Sequence, residues 1–446
     1  MGAAQSSLEL LGERFVDLAL GECSAPQETY RAAWLNFFGL ACSGAHEPAV
    51  EAFVCSRKGL APGAYAPLGH EPCLTLPDCI MATCYASSVQ AFDDIHFATT
   101  THPAGPVAAA ILGVSELVDV PMAAATEALA VGMEVECRLA LALFSAGTGS
   151  APGWYTTGMA GGVGAAAAVA RLLGLSRAQT ASALGWAATA ACGVRGTHGF
   201  AAGTFVPALA ARAGFEAALL ARDGLDCGIG ALTGISGLIR QVAPRPALDE
   251  ALAGIGTTWV SAQTSPKPYP FGFVSFAAVD AALELGGVGP GGPIDVYVSP
   301  RAARLGGNPH PATSDEAIVS IPYLVTRTLT DPESVRVPIP TEFSVTSEVR
   351  RIMSRIELHT DAELKDGMAR ISVDGGARMV TCGAARGTNA RRLATAEVLD
   401  KFRSICGLKD PARVIVAVMR DNVLLSDVVE ALRQETPVSR NGLDCS

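Results

Sequence analysis

Apolar residues recur at helical spacing through roughly the first 265 residues, in Ala-rich segments separated by Gly, Pro and Ser. A recurrence every three to four residues indicates a helix with one buried face. Almost no β-branched alternation interrupts this pattern, so it predicts an all-α domain. The segments predicted to be helical are 7–20, 28–44, 80–92, 104–118, 121–145, 157–174, 177–192 and 204–223.

The pattern changes near Lys267, where closely spaced prolines break helix and later segments acquire strand character. Asp374-Gly375-Gly376 separates two of these segments and is typical of a hairpin turn. From Thr395 helical spacing resumes through Leu432. The predicted strands are 294–298, 354–360, 369–373 and 377–382, and the predicted helices between them are 276–286, 314–330 and 342–353.

The chain is longer than one hydrophobic core usually supports, so we expect more than one domain. We predict a large all-α helical domain plus a smaller α+β lid domain. The helical domain spans 1–267 and the lid spans 268–392. The C-terminal helices in 393–446 are expected to return to the helical domain and complete it.

The composition of the chain bears on which partners and which cellular location are expected. A net charge of −10 opposes phosphate binding, so no nucleic-acid partner is expected. The apolar stretches 104–118 and 158–175 lack about 20 residues of strongly apolar character, so no membrane partner is expected either. The N-terminus lacks signal-peptide features, and twelve scattered cysteines without paired spacing favour free thiols in a cytoplasmic protein.

Segment 91–107 gathers two carboxylates, two imidazoles and three hydroxyls between apolar stretches. Ionisable groups in such surroundings have shifted pKa values. Asp93, His96 and His102 could ligate a metal, but their spacing matches no common metal motif. The acidic and hydroxyl groups could instead serve only the loop's own structure. We favour an active-site wall that leads into a helix after Pro103, whose N-terminus would attract an anion.

Four further positions carry possible chemistry. Tyr155 precedes a helix and is either a core tyrosine or a site hydroxyl. Arg138 lies inside an apolar helix and either pairs with a nearby glutamate or binds a substrate carboxylate. Arg195 and His198 occupy a Gly-rich loop, where surface exposure and ligand contact are equally compatible with the sequence.

Lys267 lies between prolines at the expected junction of two domains, which is where ligand clefts occur. A lysine desolvated there could act as a base, or it could stay charged and hold a carboxylate. Tyr269, two residues later, is a further candidate substrate contact.

Several motifs together resemble the MmgE/PrpD family. They are the DD-x-H...HP-x-G-P-V segment, the EVECRL helix, the helix ending in ARLLGL, the AARAGFEAALLA helix and the KPYP turn. The family includes 2-methylcitrate dehydratase and cis-aconitate decarboxylase. The resemblance implies a helical domain with an α+β lid, a homodimer, and catalysis without metal or other cofactor. The resemblance also implies that Asp93, His102 and Lys267 correspond to site residues of the family.

The chain departs from the lyases of that family at three positions. Tyr155 and Phe276 stand where histidines are common, and Gly203 stands near the position of a lysine. These departures remove cationic and proton-donating groups, and they resemble a family member that epimerises an amino-linked dicarboxylate. Epimerisation needs only one group to remove a proton and another to return one on the opposite face.

The sequence therefore predicts a cofactor-independent epimerase that inverts a carbon α to a carboxylate in a small dicarboxylate. Lys267 and Tyr155 are expected to transfer protons, His102 to assist and Asp93 to orient a neighbour. The alternatives are a lyase of a small polycarboxylate, such as 2-methylcitrate or cis-aconitate, and a catalytically inactive ligand-binding homologue. The predicted substrate-binding residues are His96, Arg138, Arg195, His198 and Tyr269.

Overall fold

The structure is a computed structural model that describes residues 2–289 and 291–436, with side chains from residue 5 onward. The end of the predicted C-terminal segment, 437–446, lies outside the described residues. The first twelve helices are α1 (Gly2–Leu20), α2 (Gln27–Gly44), α3 (Pro48–Leu60), α4 (Leu76–Ser88), α5 (Ala104–Ser115), α6 (Met122–Phe144), α7 (Thr156–Leu172), α8 (Arg177–Thr189), α9 (Ala201–Arg222), α10 (Gly230–Thr233), α11 (Leu238–Val242) and α12 (Leu248–Leu252).

The later part of the chain combines helices with a small sheet. Its helices are α13 (Phe276–Leu285), α14 (Pro300–Gly306), α15 (Ser314–Ala317), α16 (Ile321–Thr330), α17 (Ser347–Met353), α18 (Thr395–Ile405), α19 (Pro411–Val418) and α20 (Leu425–Glu435). The strands are β1 (Asp94–Ile95), β2 (Ser265–Pro266), β3 (Ile294–Val298), β4 (Ile356–Thr360), β5 (Ala369–Val373) and β6 (Arg378–Cys382).

Each of the eight helices predicted before residue 265 coincides with an observed helix, with its ends displaced by a few residues. Helix α3 was not predicted, because only Val50 and Val54 of this helix are buried and the apolar stripe is too narrow to recognise. The short helices α10, α11 and α12 were not predicted either. The predicted helix 314–330 is divided into α15 and α16. Ser320 caps α16 by accepting a hydrogen bond from the Tyr323 amide, so a new helix begins there.

The large helical domain has one core, made of α1 to α12 together with the C-terminal helices. Small side chains let its central helix α7 pack closely, and the residues Ala165–Ala168 are fully buried. Helix α18 contributes the buried Phe402 to the same core. The Leu425 amide at the start of α20 donates to the Val120 carbonyl at 2.8 Å, so the end of the chain is tied back to the first domain.

The smaller domain is α+β, with a four-stranded sheet in the order β4-β3-β5-β6. Strand β3 pairs in parallel with β4 and antiparallel with β5, which also pairs antiparallel with β6. In β3, Ile294, Val296 and Val298 alternate inward and are fully or almost fully buried. These residues share a second core with helices α13 and α16, so the architecture is a large helical domain and a smaller α+β domain.

A two-residue ladder, β1–β2, joins the polar segment before Pro103 to the proline-rich junction. Asp94 pairs with Pro266 and Ile95 with Ser265, and the Lys267 amide donates to the Asp93 carbonyl at 2.9 Å. A pairing this short leaves no periodic signal in the sequence. The ladder nevertheless fixes two segments that are far apart in the chain beside each other.

Helix α9 is the one described helix that is long and apolar enough to cross a membrane by length and composition, yet 56% of its most apolar window is buried inside the protein. Core helices of globular domains meet the same criterion. Several described cysteines, such as Cys79, Cys84 and Cys137, are buried free thiols.

Arg138 is a core residue, so its predicted role as a substrate contact is corrected. Its guanidinium is fully buried and donates to Glu134 Oε1 at 2.6 Å. The remaining donors reach the carbonyls of Ala251, Ala253 and Thr258 at 2.6 to 3.0 Å. Arg138 therefore stabilises the turn after α12, and every contact it makes is internal to the helical domain.

We predict that Arg138→Met lowers the free energy of unfolding by about 3–5 kcal/mol, because it leaves the buried Glu134 charge without its partner. Urea unfolding followed by circular dichroism measures this change. The control is Arg14→Met, which removes an exposed ion pair to Asp17 with atoms 3.7 Å apart. This control should change stability by less than about 1 kcal/mol. Equal effects of the two variants would contradict the structural role.

Candidate active site

A cleft with about 940 Å³ of empty space, including the part open to solvent, lies between the two domains. The helical domain supplies most of its polar groups, and the smaller domain supplies an apolar wall. The polar and ionisable lining residues are Ser88, Asp93, Thr100, His102, Tyr155, Thr156, Arg195, His198, Thr204, Lys267 and Asp315. The apolar wall of the smaller domain consists of Phe273, Val274, Leu305, Ile318 and Val319.

Asp93 is the centre of the polar side of this cleft. Its Oδ1 accepts a hydrogen bond from Lys267 Nζ at 2.5 Å, and its Oδ2 lies 3.3 Å from His102 Nδ1. Lys267 Nζ also donates to the Ala91 carbonyl at 3.3 Å. The structure thus brings together Asp93, His102 and Lys267, which the sequence placed on two segments.

Asp93 stays ionised although its carboxylate is buried. Burial acts to raise its pKa, but interactions with His102 and Lys267 outweigh this effect and lower the pKa overall. Burial lowers the pKa of His102 to about 4, so this imidazole is neutral near pH 7. Lys267 is therefore the charged partner that keeps Asp93 ionised.

His102 is held in one tautomer. Its Nδ1 lies 2.6 Å from the Asp94 carbonyl oxygen, which only accepts, so Nδ1 carries the proton. The lone pair is then on Nε2. The His102 amide donates to Thr157 Oγ1 at 2.9 Å, which fixes the residue against the first turn of α7. A neutral, oriented imidazole with a free Nε2 is suited to accept a proton.

Tyr155 lies at the N-terminal end of α7, where its amide donates to the Gly193 carbonyl at 3.1 Å. Burial raises the pKa of its hydroxyl, and the negative charge of Asp93 raises it further. The phenol therefore keeps its proton at neutral pH. Its ring packs against His198 with ring centres 5.4 Å apart, and burial lowers the pKa of His198 to about 4.

Arg195 is the cation of the loop between α8 and α9. Its Nε donates to the Trp154 carbonyl at 3.0 Å and one terminal nitrogen donates to Thr100 Oγ1 at 3.1 Å. Burial lowers its pKa, with a further contribution from Arg301, but a guanidinium stays charged. These two hydrogen bonds orient Arg195 beside Tyr155 and leave donors of the guanidinium for a ligand.

A second cavity adjoins the cleft and shares Arg195 with it. Arg301 and Arg304 of α14 also line this cavity, together with hydroxyls of Thr99, Thr100, Thr148 and Ser150. Arg301 Nη1 donates to Asp366 at 2.9 Å, and its guanidinium lies over Phe273 at 5.5 Å from the ring centre. Three guanidinium groups therefore line the second cavity, and that of Arg301 is paired with Asp366.

His96 and Tyr269 do not line the cleft, which corrects their prediction as substrate contacts. His96 is buried inside its own loop, where Nδ1 lies 2.8 Å from Thr99 Oγ1 and its amide donates to Thr101. The Tyr269 hydroxyl donates to Asp280 at 2.5 Å in the core of the smaller domain.

Asp94 and Lys401 support the site, and neither was selected from the sequence as a site residue. Asp94 Oδ2 accepts the Ala104 amide at 3.1 Å at the start of α5, and burial raises its pKa to about 7. Lys401 of α18 donates to the carbonyls of Phe92 at 2.6 Å and Lys267 at 3.0 Å. Burial lowers the pKa of Lys401 well below its usual value. The amphipathic pattern of α18 does not indicate that Lys401 contacts these two carbonyls.

Gly203 and Phe276 stand at the positions where family lyases were expected to carry a lysine and a histidine. A Cβ at Gly203 would lie 2.9 Å from the Thr197 carbonyl oxygen, so a side chain there requires the loop to shift. Phe276 is fully buried against Tyr269 and Phe271. Neither position offers a cation or a proton donor to the cleft.

The cleft residues do not form a convincing metal site among the described residues. The described groups in which three potential ligands lie close together are His46, Glu51 and His70, and Asp295, Glu357 and His359. Both lie away from the cleft lining. In the cleft, Asp93 is already engaged by Lys267 and His102 Nδ1 by a carbonyl.

Comparison with known families agrees with this two-domain arrangement. Residues 19–251 match the MmgE/PrpD N-terminal domain, and residues 269–421 match the MmgE/PrpD C-terminal domain. No curated protein matches the chain. The family is made up of enzymes, lyases and isomerases, and it includes dehydratases and epimerases. With both domain models covering most of its length, the chain belongs to the MmgE/PrpD family.

Proposed function

We propose that this enzyme is a cofactor-independent epimerase that inverts a carbon α to a carboxylate in a small dicarboxylate of the iminodisuccinate type. The observation that carries the proposal is that His102, with its Nδ1 against a carbonyl oxygen, and Tyr155 line the same cleft. His102 is a neutral acceptor with a free Nε2, and Tyr155 is a phenol that keeps its proton. Epimerisation needs this combination of one acceptor and one donor.

The proposed reaction breaks the Cα–H bond and passes the proton to His102 Nε2, while the electron pair moves into the adjacent carboxylate as an enediolate. Tyr155 then donates its proton to the opposite face of the same carbon. The imidazolium formed on His102 is stabilised by Asp93, whose Oδ2 lies 3.3 Å from the ring. Exchange with solvent returns the proton from His102 to the Tyr155 phenolate and restores the enzyme.

Lys267 takes a different role in this proposal from the base suggested by the sequence. Its ammonium donates a hydrogen bond to Asp93 Oδ1 at 2.5 Å. A protonated lysine cannot remove a proton, but it stabilises the negative charge of an enediolate. We therefore assign the cation role to Lys267 and the base role to His102.

The positive charge around the cleft supports a substrate with two carboxylates. Lys267 sits at the polar end of the cleft, and Arg195 connects it to the cavity that also contains Arg301 and Arg304. A guanidinium recognises a carboxylate through parallel hydrogen bonds. One carboxylate would lie near Lys267 during the reaction, and the second would reach Arg195.

A lyase function is less well supported, because the described cleft residues do not include the extra acid and cationic groups that elimination requires. Elimination of water or carbon dioxide needs additional groups that protonate a leaving group or bind a third carboxylate. The two positions where such groups were expected hold Gly203 and the buried Phe276. Epimerisation has no leaving group, so the described lining is sufficient for it.

In D₂O, we predict that the wild-type enzyme places deuterium on the α carbon of an imino-linked dicarboxylate with inversion and without forming a conjugated alkene. Tyr155→Phe should retain exchange into one stereoisomer and lose inversion, because only the donor face is removed. NMR follows the deuterium, and absorbance detects the alkene. Tyr297→Phe, in the sheet of the smaller domain, is the matched control and should behave as wild type.

Two results would overturn the proposal. Growth of alkene absorbance would identify a lyase, and binding of the dicarboxylate without exchange would identify a ligand-binding protein. If Tyr155→Phe loses exchange as well as inversion, the assignment of His102 and Tyr155 to opposite faces of the carbon is wrong.

We also predict that kcat/KM falls as the pH drops through about 4, since His102 must be neutral to accept a proton and burial lowers its pKa to that value. A His102→Gln variant should lose about 10²-fold or more in exchange rate and should lose this acid limb. His198→Gln controls for the neighbouring imidazole with a similarly lowered pKa and should keep the limb. A limb near pH 6.5, or one that disappears only in His198→Gln, would contradict the assignment.

A further inference from the structure

His46, Glu51 and His70 converge at the edge of the helical domain, away from the cleft. His46 follows α2, Glu51 lies in the first turn of α3, and His70 belongs to the connection between α3 and α4. Their potential ligand atoms all lie within 4.8 Å of one another. Three separate segments therefore present two imidazoles and a carboxylate to one point.

The hydrogen bonding of His70 makes this point unusual. Its Nδ1 lies 3.0 Å from the Leu68 carbonyl oxygen, which only accepts, so the proton is on Nδ1 and the lone pair of a neutral ring is on Nε2. That Nε2 is buried, lacks a hydrogen-bond partner among the described residues and lies 3.3 Å from Glu51 Oε2. In a neutral ring this lone pair faces a carboxylate oxygen, and the contact is repulsive unless a proton or a metal ion lies between the two atoms.

The distance between His70 and Glu51 suits a tetrahedral metal ion, since His70 Nε2 lies 3.3 Å from Oε2. His46 Nδ1 lies 2.8 Å from Glu51 Oε1, a hydrogen bond that a bound ion would replace after a small side-chain shift. Ligand atoms about 2.0–2.1 Å from a zinc ion are separated by about 3.3 Å in tetrahedral geometry. The carbonyl of Leu68 also holds the His70 ring as carbonyls and carboxylates commonly hold metal-binding histidines.

Burial and backbone geometry show that the site is built into the fold. The side chain of His70 is 9% exposed and that of Glu51 is 14% exposed, while His46, at 36%, leaves a path from solvent. Gly69 adopts a φ of +77°, and a Cβ there would lie 3.0 Å from His46 Nε2. Glycine is thus needed for the loop to bring His70 against His46.

We propose that His46, Glu51 and His70 bind a divalent transition-metal ion of the zinc type. Two imidazoles and one carboxylate are borderline ligands that suit zinc, and they leave a fourth position for water. The ion would join the α2–α3 connection to the segment before α4, so we expect it to stabilise the packing of these two segments. It is separate from the proposed epimerase chemistry and does not depend on it.

The test uses the full chain without a histidine tag, stripped by a chelator and titrated with Zn²⁺ in a calorimeter. We expect one ion per chain at this site and a higher thermal unfolding midpoint with Zn²⁺. His70→Ala and Glu51→Gln should each weaken binding by at least about tenfold. His46→Ala, at the most exposed position, should do the same and serves if the buried variants fail to fold.

Two controls distinguish this site from other groups in the chain that could bind the metal ion. His359→Ala removes the more exposed Asp295, Glu357 and His359 group and should leave the tight binding unchanged. Co²⁺ in place of Zn²⁺ should give an absorption spectrum without thiolate charge transfer, which excludes the cysteines as ligands. Absence of tight binding, an affinity in all three variants equal to that of the wild-type chain, or a thiolate spectrum would overturn the proposal.

Discussion

The ion pair between Asp93 and Lys267 is the interaction on which the candidate active site depends. It closes a contact between residues 174 positions apart, with the β1–β2 ladder immediately beside it. The pair lies where the helical domain meets the smaller domain, so the same contact that organises the polar end of the cleft also fixes the junction. Lys401 reinforces it from α18 by donating to the carbonyls of Phe92 and Lys267.

Burial gives the groups around this pair different proton states. A low-dielectric setting disfavours charge on His102, His198 and Tyr155, so the imidazoles stay neutral and the phenol stays protonated. Asp93 keeps its charge because Lys267 is in direct contact. The same apolar environment thus contains a neutral imidazole on His102, a protonated phenol on Tyr155 and the ion pair of Asp93 with Lys267. Arg195 lines both this cleft and the second cavity, and we propose that it contacts a substrate carboxylate.

The sequence was informative where periodicity or backbone chemistry left a strong signal. Strands β3 and β5 were predicted with their observed ends, because Val and Ile alternate along them and the Asp374 turn separates β5 from β6. Lys267 stood out because prolines flank it. The separation of helical and α+β segments followed from the change of pattern near that residue.

The rest depended on contacts that one chain does not reveal. Spacing placed Arg138 on an apolar helix but could not show that it faces Glu134 and three carbonyls. His96 and Tyr269 lie beside true cleft residues in sequence, yet their side chains point into loop and core. Lys401 was missed because its helix reads as amphipathic and its partners are backbone carbonyls. The roles of the cleft residues and the expected homodimer and cytoplasmic location stay predictions.

The most direct measurement of the central claim is a crystal structure of the enzyme with a non-reactive dicarboxylate bound. We expect one carboxylate near Lys267, the other on Arg195, and the α carbon between His102 Nε2 and the Tyr155 hydroxyl. Both atoms should lie about 3–3.5 Å from that carbon, on opposite faces. A ligand held elsewhere, or with both groups on the same face of the carbon, would contradict the central claim.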